Sequence, residues 1–549
     1  MGVEKFSHFA VHNWMSEIQT RVVAKSGKPS DRFHLGKLVL DALRDVPEQV
    51  LQIDGGTGES ETFGSALKRS VQCANAFRVR GLKKDDIIIL MAPNHIHLCI
   101  PMYAAFYLGV GVAGVDYTLA ERELHETFKF NKPKIIFCQS ERARDVGAAL
   151  QGLDFSCEVV TFNTGSEYKT FSELLEQEAD VSIDEFEAED FDPSETPSML
   201  IATSGTTGLP KSAEVTHKNL VFGMPFMWSH FDTFPSPVPL CIVMSPLQWY
   251  SAIFLLISCP LMRQTRVQSS EPMTKEHSYY LINKYRPSFA MSSPNMWMTL
   301  FKPGDREQCD FTSFQLILSG GSAMPQSLRD EIKKATPNTL VLNVYGMSEL
   351  SGLGFLYDAT EPEAVGRPVP YHKYKLVNLE NMEEIKEPNV TGELWLKGPA
   401  VFKGYYNNEE VTAATLTKDG WMRTGDIMYR DKNYLFYFVD RLKSLLKYRN
   451  YQISPVEIES LIRNHPGVFE VAVTGVPDPE HGDLPVAFVI RFDESKVTAQ
   501  EIKDLVKNNL SDSKQLRGGV IFIKQLPVTA STKVDRKKLA ALAIEMERE

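Results

Sequence analysis

The stretch Thr203-Ser204-Gly205-Thr206-Thr207-Gly208-Leu209-Pro210-Lys211 comes directly after the apolar run Ser198-Met199-Leu200-Ile201-Ala202. The run reads as a short buried strand. The segment after it turns at the surface, because glycines and hydroxyl residues punctuate regular structure. Composition alone allows a plain Gly/Thr-rich turn. The order of residues points further. Hydroxyls and exposed amides can surround phosphate oxygens, and the lysine adds a positive charge.

A P-loop, G-x-x-x-x-G-K-[ST], almost fits Gly205 to Ser212, but Pro210 stands where the second glycine belongs. Proline has no N–H to give a phosphate nest. Ser212-Ala213-Glu214-Val215 is also a poor start for the helix that a P-loop requires. A P-loop NTPase is therefore rejected.

The stretch closely resembles the phosphate loop of the acyl-adenylate-forming enzymes, which include acyl-CoA synthetases, 4-coumarate–CoA ligases, beetle luciferases and peptide-synthetase adenylation domains. Further blocks occur in that family's order. Tyr345-Gly346-Met347-Ser348-Glu349 is similar to its Y-G-x-T-E motif, and Gly392-Glu393-Leu394-Trp395 with Gly404-Tyr405-Tyr406 to its G-E-L block. Trp421-Met422-Arg423-Thr424-Gly425-Asp426 is similar to its T-G-D motif, and Asp440-Arg441-Leu442-Lys443 to its interdomain hinge. Pro527 to Lys533 sits where its C-terminal lysine loop belongs. The pattern is most like insect luciferase-related acyl-CoA synthetases and 4-coumarate–CoA ligase-like enzymes.

Strand-like runs such as Ile87-Ile88-Ile89-Leu90, Ile135-Ile136-Phe137, Leu316-Ile317-Leu318 and Leu340-Val341-Leu342 alternate with helical patterns up to Tyr345. Such alternation predicts α/β layers around buried sheets. After Asp440 the pattern changes. Ser454-Pro455-Val456-Glu457 reads as an N-cap, an N1 proline and a capping-box glutamate, and Thr498-Ala499-Gln500-Glu501 repeats the box. The expectation is an α/β fold: a large N-terminal adenylation domain of layered sheets and helices over 1–439, and a small, mobile α+β C-terminal lid domain over 440–549. Residues 176–196 are acidic and read as a solvated connector. Gly109-Val110-Gly111-Val112-Ala113-Gly114 matches G-x-G-x-x-G but is a decoy, because a helical pattern precedes it where a dinucleotide site needs a strand.

With 549 residues, 43% hydrophobic and 23% charged, the chain has an ordinary globular composition. A net charge of -11 argues against generic nucleic-acid binding and offers nothing to an acidic membrane. Seven dispersed cysteines without a CxxC pair suit a reducing compartment. The longest apolar run, Ala252 to Met262, is too short to span a bilayer. No signal peptide is read at the start and no S-K-L at the end, so cytoplasm is the expected location, with a monomer or weak homodimer as the expected state.

The resemblance implies an enzyme, an acid–CoA ligase. A carboxylate attacks the α-phosphate of ATP, pyrophosphate leaves, and CoA then displaces AMP from the acyl-adenylate. ATP, CoA and Mg²⁺ are the implied cofactors, and a small carboxylic acid the substrate. Two anions must meet in the first step, so the site must neutralise charge.

Roles carry over by position. Thr203, Ser204, Gly205, Thr206, Thr207, Gly208 and Lys211 hold the β- and γ-phosphates. Glu349 binds Mg²⁺, and Ser348 bonds the α-phosphate. Tyr345 stacks on adenine beside Gly346. Gly320, Gly321 and Ser322 let backbone approach the adenylate. Asp426 accepts the ribose hydroxyls, Arg441 also contacts the ribose, and Lys533 bridges carboxylate and α-phosphate. Asp440 and Lys443 form the hinge, while Lys447 and Asn450 serve the thioester step. The plain alternatives place Tyr345 in the core, Asp426 in a turn and Arg441 with Lys443 on a solvated face.

Departures from the family pattern bear on the second step. Thr532, Asn450 and Ser212 each replace a family glycine. Trp249 lies where the acyl pocket is lined and luciferases usually carry His-His-Gly, which disfavours light production. Two alternatives stay open: adenylation followed by oxygenation, and a degenerate nucleotide- or acyl-binding protein.

Overall fold

The apolar runs that have no polar alternation are buried on both faces, as parallel strands covered by helices must be. The computed structural model describes residues 8–178, 180–203, 211–228, 240–322, 324–356, 361, 363–448, 451–493, 495–529 and 533–549. The chain is mixed α/β and forms two compact units. The larger holds residues 1–355, 369–372 and 398–418; the smaller holds 356–368, 373–397 and 419–549.

The larger unit is built on two sheets. In the eight-stranded sheet, β1 (Pro197–Thr203) runs parallel to Gly111–Gly114 on one side and antiparallel to β2 (Lys211–Thr216) on the other. Beyond Gly111–Gly114 the strands Ile87–Met91, Ile135–Cys138 and Glu158–Thr161 continue in parallel. The short strand Gly404–Tyr405 adds to the free edge of β2, with Gly404 opposite Glu214 and Tyr405 opposite Ala213. Gly109 caps a helix and Gly111–Gly114 is itself a strand, so the G-x-G-x-x-G match has no strand before it.

The seven-stranded sheet includes Phe289–Ser292, β3 (Leu316–Gly320) and β4 (Leu340–Val344), paired in parallel so that Ser292, Ser319 and Asn343 lie side by side. The helix α1 (Tyr250–Leu261) is apolar nearly all round and wholly buried from Ala252 to Leu261. A helix of that kind belongs in a large core.

The acidic segment is the exposed connector expected for it, with Asp184, Glu185, Glu187, Glu189, Asp190 and Asp192 all in solvent, and it is tethered at a few points. Asp190 pairs with Lys28 at 2.7 Å and Lys37 at 2.5 Å, Glu189 pairs with Arg78 at 2.7 Å, and Phe186 is buried. Basic residues far away in sequence draw the segment onto the helices.

In the smaller unit, β5 (Gly392–Lys397), β6 (Met422–Arg430) and β7 (Phe436–Arg441) are neighbours in a five-stranded antiparallel sheet. A second sheet pairs Val468–Asp478 with Gly482–Arg491, and Gly519–Phe522 joins it in parallel. Alternation decides its packing. Val471 and Val473 face α2 (Pro455–Arg463) and the helix Ala499–Asn509, whereas Ala472 faces the helix Arg536–Glu545. Ser454 caps α2 as its sequence predicts, but Glu457 does not close the box. Its carboxylate pairs with Lys514 at 2.6 Å instead. At Thr498 both halves of the box are present.

One close approach fixes the turn that carries Glu349. Gly346–Met347 pairs antiparallel with Gly352–Leu353, and a Cβ on Gly346 would stand 2.2 Å from the Gly352 carbonyl oxygen. Gly346→Ala is expected to destabilise the larger unit by about 1–3 kcal/mol, the usual cost of overpacking. Urea unfolding with an unchanged midpoint would contradict this reading of the turn.

Candidate active site

In the larger unit the two ends of the proposed phosphate loop are zipped together. Thr203 pairs with Lys211, and the Thr203 hydroxyl donates to the Lys211 carbonyl at 3.2 Å. Lys211 then opens a strand, not a helix, which agrees with rejecting a P-loop. Ser204, Gly205, Thr206, Thr207 and Gly208 lie outside the described residues.

Parallel pairing of β3 and β4 sets Gly320 opposite Val344, so Gly320-Gly321-Ser322 and Tyr345 leave the sheet at the same end. Tyr345 is half-buried, with its ring edge-on to Phe355 at 5.3 Å between centroids. Ser348 and Glu349 come next in a single 3₁₀ turn, which Ser351 ends in the left-handed region at φ 49°. Two tyrosines hold this hairpin. The Tyr250 hydroxyl donates to the Ser351 carbonyl at 2.6 Å, and the Tyr371 hydroxyl to the Leu353 carbonyl at 3.3 Å. Burial pushes both phenols above their usual range. Trp249 is the N-cap residue of α1, half-buried, immediately before Tyr250.

Glu349 has a partner that the sequence did not reveal. The Tyr405 hydroxyl donates to Glu349 Oε1 at 2.8 Å, and the Lys211 ammonium lies 5.6 Å from the centre of the same ring. The structure therefore brings Lys211 and Glu349 to one side chain.

The smaller unit carries the proposed ribose pair. Asp426 on β6 is opposite Arg441 on β7, and Arg441 Nε lies 3.0 Å from Asp426 Oδ1. Asp426 is 1% exposed, whereas the Arg441 side chain is about half in solvent. Gly425 turns the chain at φ 69°, a value that favours glycine.

Glu393, buried on β5, braces this turn. Its Oε1 accepts the Gly425 N–H at 3.0 Å and its Oε2 accepts the Trp395 indole N–H at 2.7 Å. The sequence placed Glu393 in a motif without a role. The signal was available in its type, since a carboxylate in an otherwise apolar strand needs donors.

Asp440 is buried and bound to the start of α2: the Ser454 hydroxyl donates to Asp440 Oδ2 at 2.7 Å, and the Arg441 amide donates to Oδ1 at 2.6 Å. Burial raises its pKa against these bonds. Lys443 and Lys447 are exposed, and the Lys447 amide donates to Asp483 at 2.9 Å. Asn450 lies outside the described residues. Lys533 is exposed, its carbonyl accepts from the Thr529 amide at 2.8 Å, and Val528 bridges Val534. Thr532 lies outside the described residues.

Among the described residues no cluster of three His, Cys, Asp or Glu side chains could hold a metal ion. Glu349 supplies one carboxylate with a second oxygen besides the one bonded to Tyr405. That donor set suits Mg²⁺ bound by one carboxylate with substrate phosphates and water, not a metal caged by protein alone.

With this geometry in place, the comparisons identify the class. Residues 41–406 match the AMP-binding enzyme family and residues 457–533 match the AMP-binding enzyme C-terminal domain. The chain belongs to the AMP-binding, acyl-adenylate-forming enzyme family. Luciferin 4-monooxygenase of Photuris pensylvanica is 30% identical over 91% of this chain and 93% of its own length. A probable CoA ligase of Humulus lupulus is 29% identical over 94% and 92%. ATP-bound MatB from Rhodopseudomonas palustris shares the fold, with a TM-score of 0.83 at 23% identity over 93% of this chain and 98% of that one. Among the described residues no helix is long and apolar enough to cross a membrane.

Two outcomes test the local geometry. Glu393→Gln replaces an acceptor with an NH₂ group facing an N–H, which should cost about 1–3 kcal/mol and raise the Michaelis constant for ATP. A variant with wild-type stability and ATP dependence would contradict the bracing role. Asp440, with its pKa raised in the folded state, binds more protons folded than unfolded just above the ordinary carboxylate value. Its contribution therefore falls as pH rises from about 3.8 through the folded pKa. Urea midpoints across pH 4 to 7 should show Asp440→Asn gaining on the wild type as pH rises; parallel profiles would contradict it.

Proposed function

We propose that the protein is an ATP-dependent acid–CoA ligase that activates a fatty or aryl carboxylic acid as its acyl-adenylate and transfers the acyl group to CoA. The observation that carries this reading is the meeting of Lys211 and Glu349 on Tyr405. A cation and a metal-binding carboxylate at one place are what the polyphosphate of ATP requires. CoA ligases among the relatives support it.

In the proposed reaction Lys211, Thr203 and the loop residues 204–208 bind the β- and γ-phosphates. Ser348 donates to the α-phosphate, and Mg²⁺ at Glu349 supplies Lewis-acid charge neutralisation. Tyr345 stacks on adenine, the Gly320-Gly321-Ser322 backbone lies against the adenylate, and Asp426 with Arg441 holds the ribose. Trp249 lines the acid pocket. Lys533 neutralises the meeting of carboxylate and α-phosphate in the first step, whereas Lys447 and Asn450 serve the thiol in the second. We place the boundary of the moving C-terminal domain at Asp440, with Lys443 beside it.

A second reading is adenylation followed by oxygenation, which the luciferin 4-monooxygenase relatives favour.

Pyrophosphate exchange with a panel of acids, followed by CoA or oxygen, tests both readings. Exchange without CoA consumption but with oxygen uptake and light would favour the second, and no exchange with any acid would sink both. Lys533→Ala should lose about 10²–10³ in exchange and keep transfer from a supplied acyl-adenylate. Equal loss in both steps would remove Lys533 from this role. Asp426→Ala should raise the ATP Michaelis constant, each charged hydrogen bond contributing roughly 1.5–3 kcal/mol. An unchanged constant would end the ribose assignment.

A further inference from the structure

We infer that Tyr405 is a positioning residue that aims the Glu349 carboxylate at a divalent cation and ties that aim to Lys211. The inference rests on the proposed role of Glu349 as a metal ligand and goes beyond it. A glutamate side chain turns about three bonds, and Glu349 is half-buried, so packing alone does not fix its carboxylate. Its Oε1 is taken by the Tyr405 hydroxyl at 2.8 Å. A carboxylate has about four lone-pair sites on two oxygens, so Oε2 stays available for a cation.

The tyrosine is itself rigid. It belongs to a strand paired with β2, opposite Ala213, two residues from Lys211. The Lys403 amide donates to the Glu214 carbonyl at 3.0 Å and the Tyr406 amide to the Ser212 carbonyl at 2.9 Å. The same segment reaches the main chain of Glu349, because the Phe402 amide donates to the Glu349 carbonyl at 2.8 Å. Residues 402–406 thus splint the strand that starts at Lys211 to the turn that carries Glu349. The ring completes the link, since an ammonium near an aromatic face is attracted to it.

Partners that orient a metal ligand typically contribute 10–100-fold to metal affinity. The test separates the hydroxyl from the ring. Mn²⁺ replaces Mg²⁺ as a paramagnetic probe, and its binding to the full-length protein with ATP and no acid is followed by electron paramagnetic resonance. Tyr405→Phe keeps the ring and removes the hydroxyl. It should weaken Mn²⁺ binding about 10–100-fold, leave ATP binding in EDTA within about twofold, and raise the Mg²⁺ needed for half-maximal pyrophosphate exchange in parallel. Tyr405→Leu removes the ring as well and should also weaken ATP binding in EDTA.

Wild-type Mn²⁺ affinity in Tyr405→Phe would overturn the proposal. So would a Tyr405→Phe protein that loses metal-free ATP binding to the same extent, since that is the mark of general disruption. Glu349→Gln distinguishes the underlying reading. If it binds Mn²⁺ as tightly as the wild type, Glu349 is no metal ligand and the premise fails, independently of what Tyr405 does.

Discussion

The turn that carries Ser348 and Glu349 is fixed by backbone at a place where side chains are absent. Gly346 faces the Gly352 carbonyl so closely that a methyl group would overlap it. The hairpin closed by this contact carries Ser348 and Glu349, and Tyr345 enters it directly from β4. Ser351 takes a left-handed conformation to end the turn, and such conformations persist only where surroundings over-determine them. The hydroxyls of Tyr250 and Tyr371, which bond to carbonyls in this hairpin, are part of those surroundings.

Two carboxylates, one in each unit, are held in contrasting ways. Glu393 is buried and has each oxygen bonded to a neutral N–H donor, which makes it a strut for the Gly425 turn. Glu349 is half-buried and has one oxygen bonded to a phenol, as the proposed cation site requires. Burial and hydrogen-bond partners distinguish the two acids where residue type does not.

Much of the framework was legible in the chain. Unbroken apolar runs at Ile87, Ile135, Leu316 and Leu340 became parallel strands because burial on both faces allows no alternation. The caps at Ser454 and Thr498 were legible because capping is local. The partners of Tyr405 and Glu393 were not. Tyr405 meets a residue 56 positions away and Glu393 one 32 positions away, and no short-range rule reports such pairs. For the same reason Glu457 was misread: Lys514 competes for its carboxylate from 57 positions away. The acidic stretch before Pro193 is exposed, as its charge implies, but its surface pairs with Lys28 and Lys37 could not be read from the sequence.

The zipped pair Thr203–Lys211 has an evolutionary consequence. The seven positions between them connect two strands that are already in register with each other. A change of sequence or length there leaves the register of β1 and β2 intact, because a hairpin holds its alignment through its own ladder and buried face. Substitution between Thr203 and Lys211 therefore carries little penalty for the register of these two strands. Lineages can vary this stretch while inheriting the same scaffold.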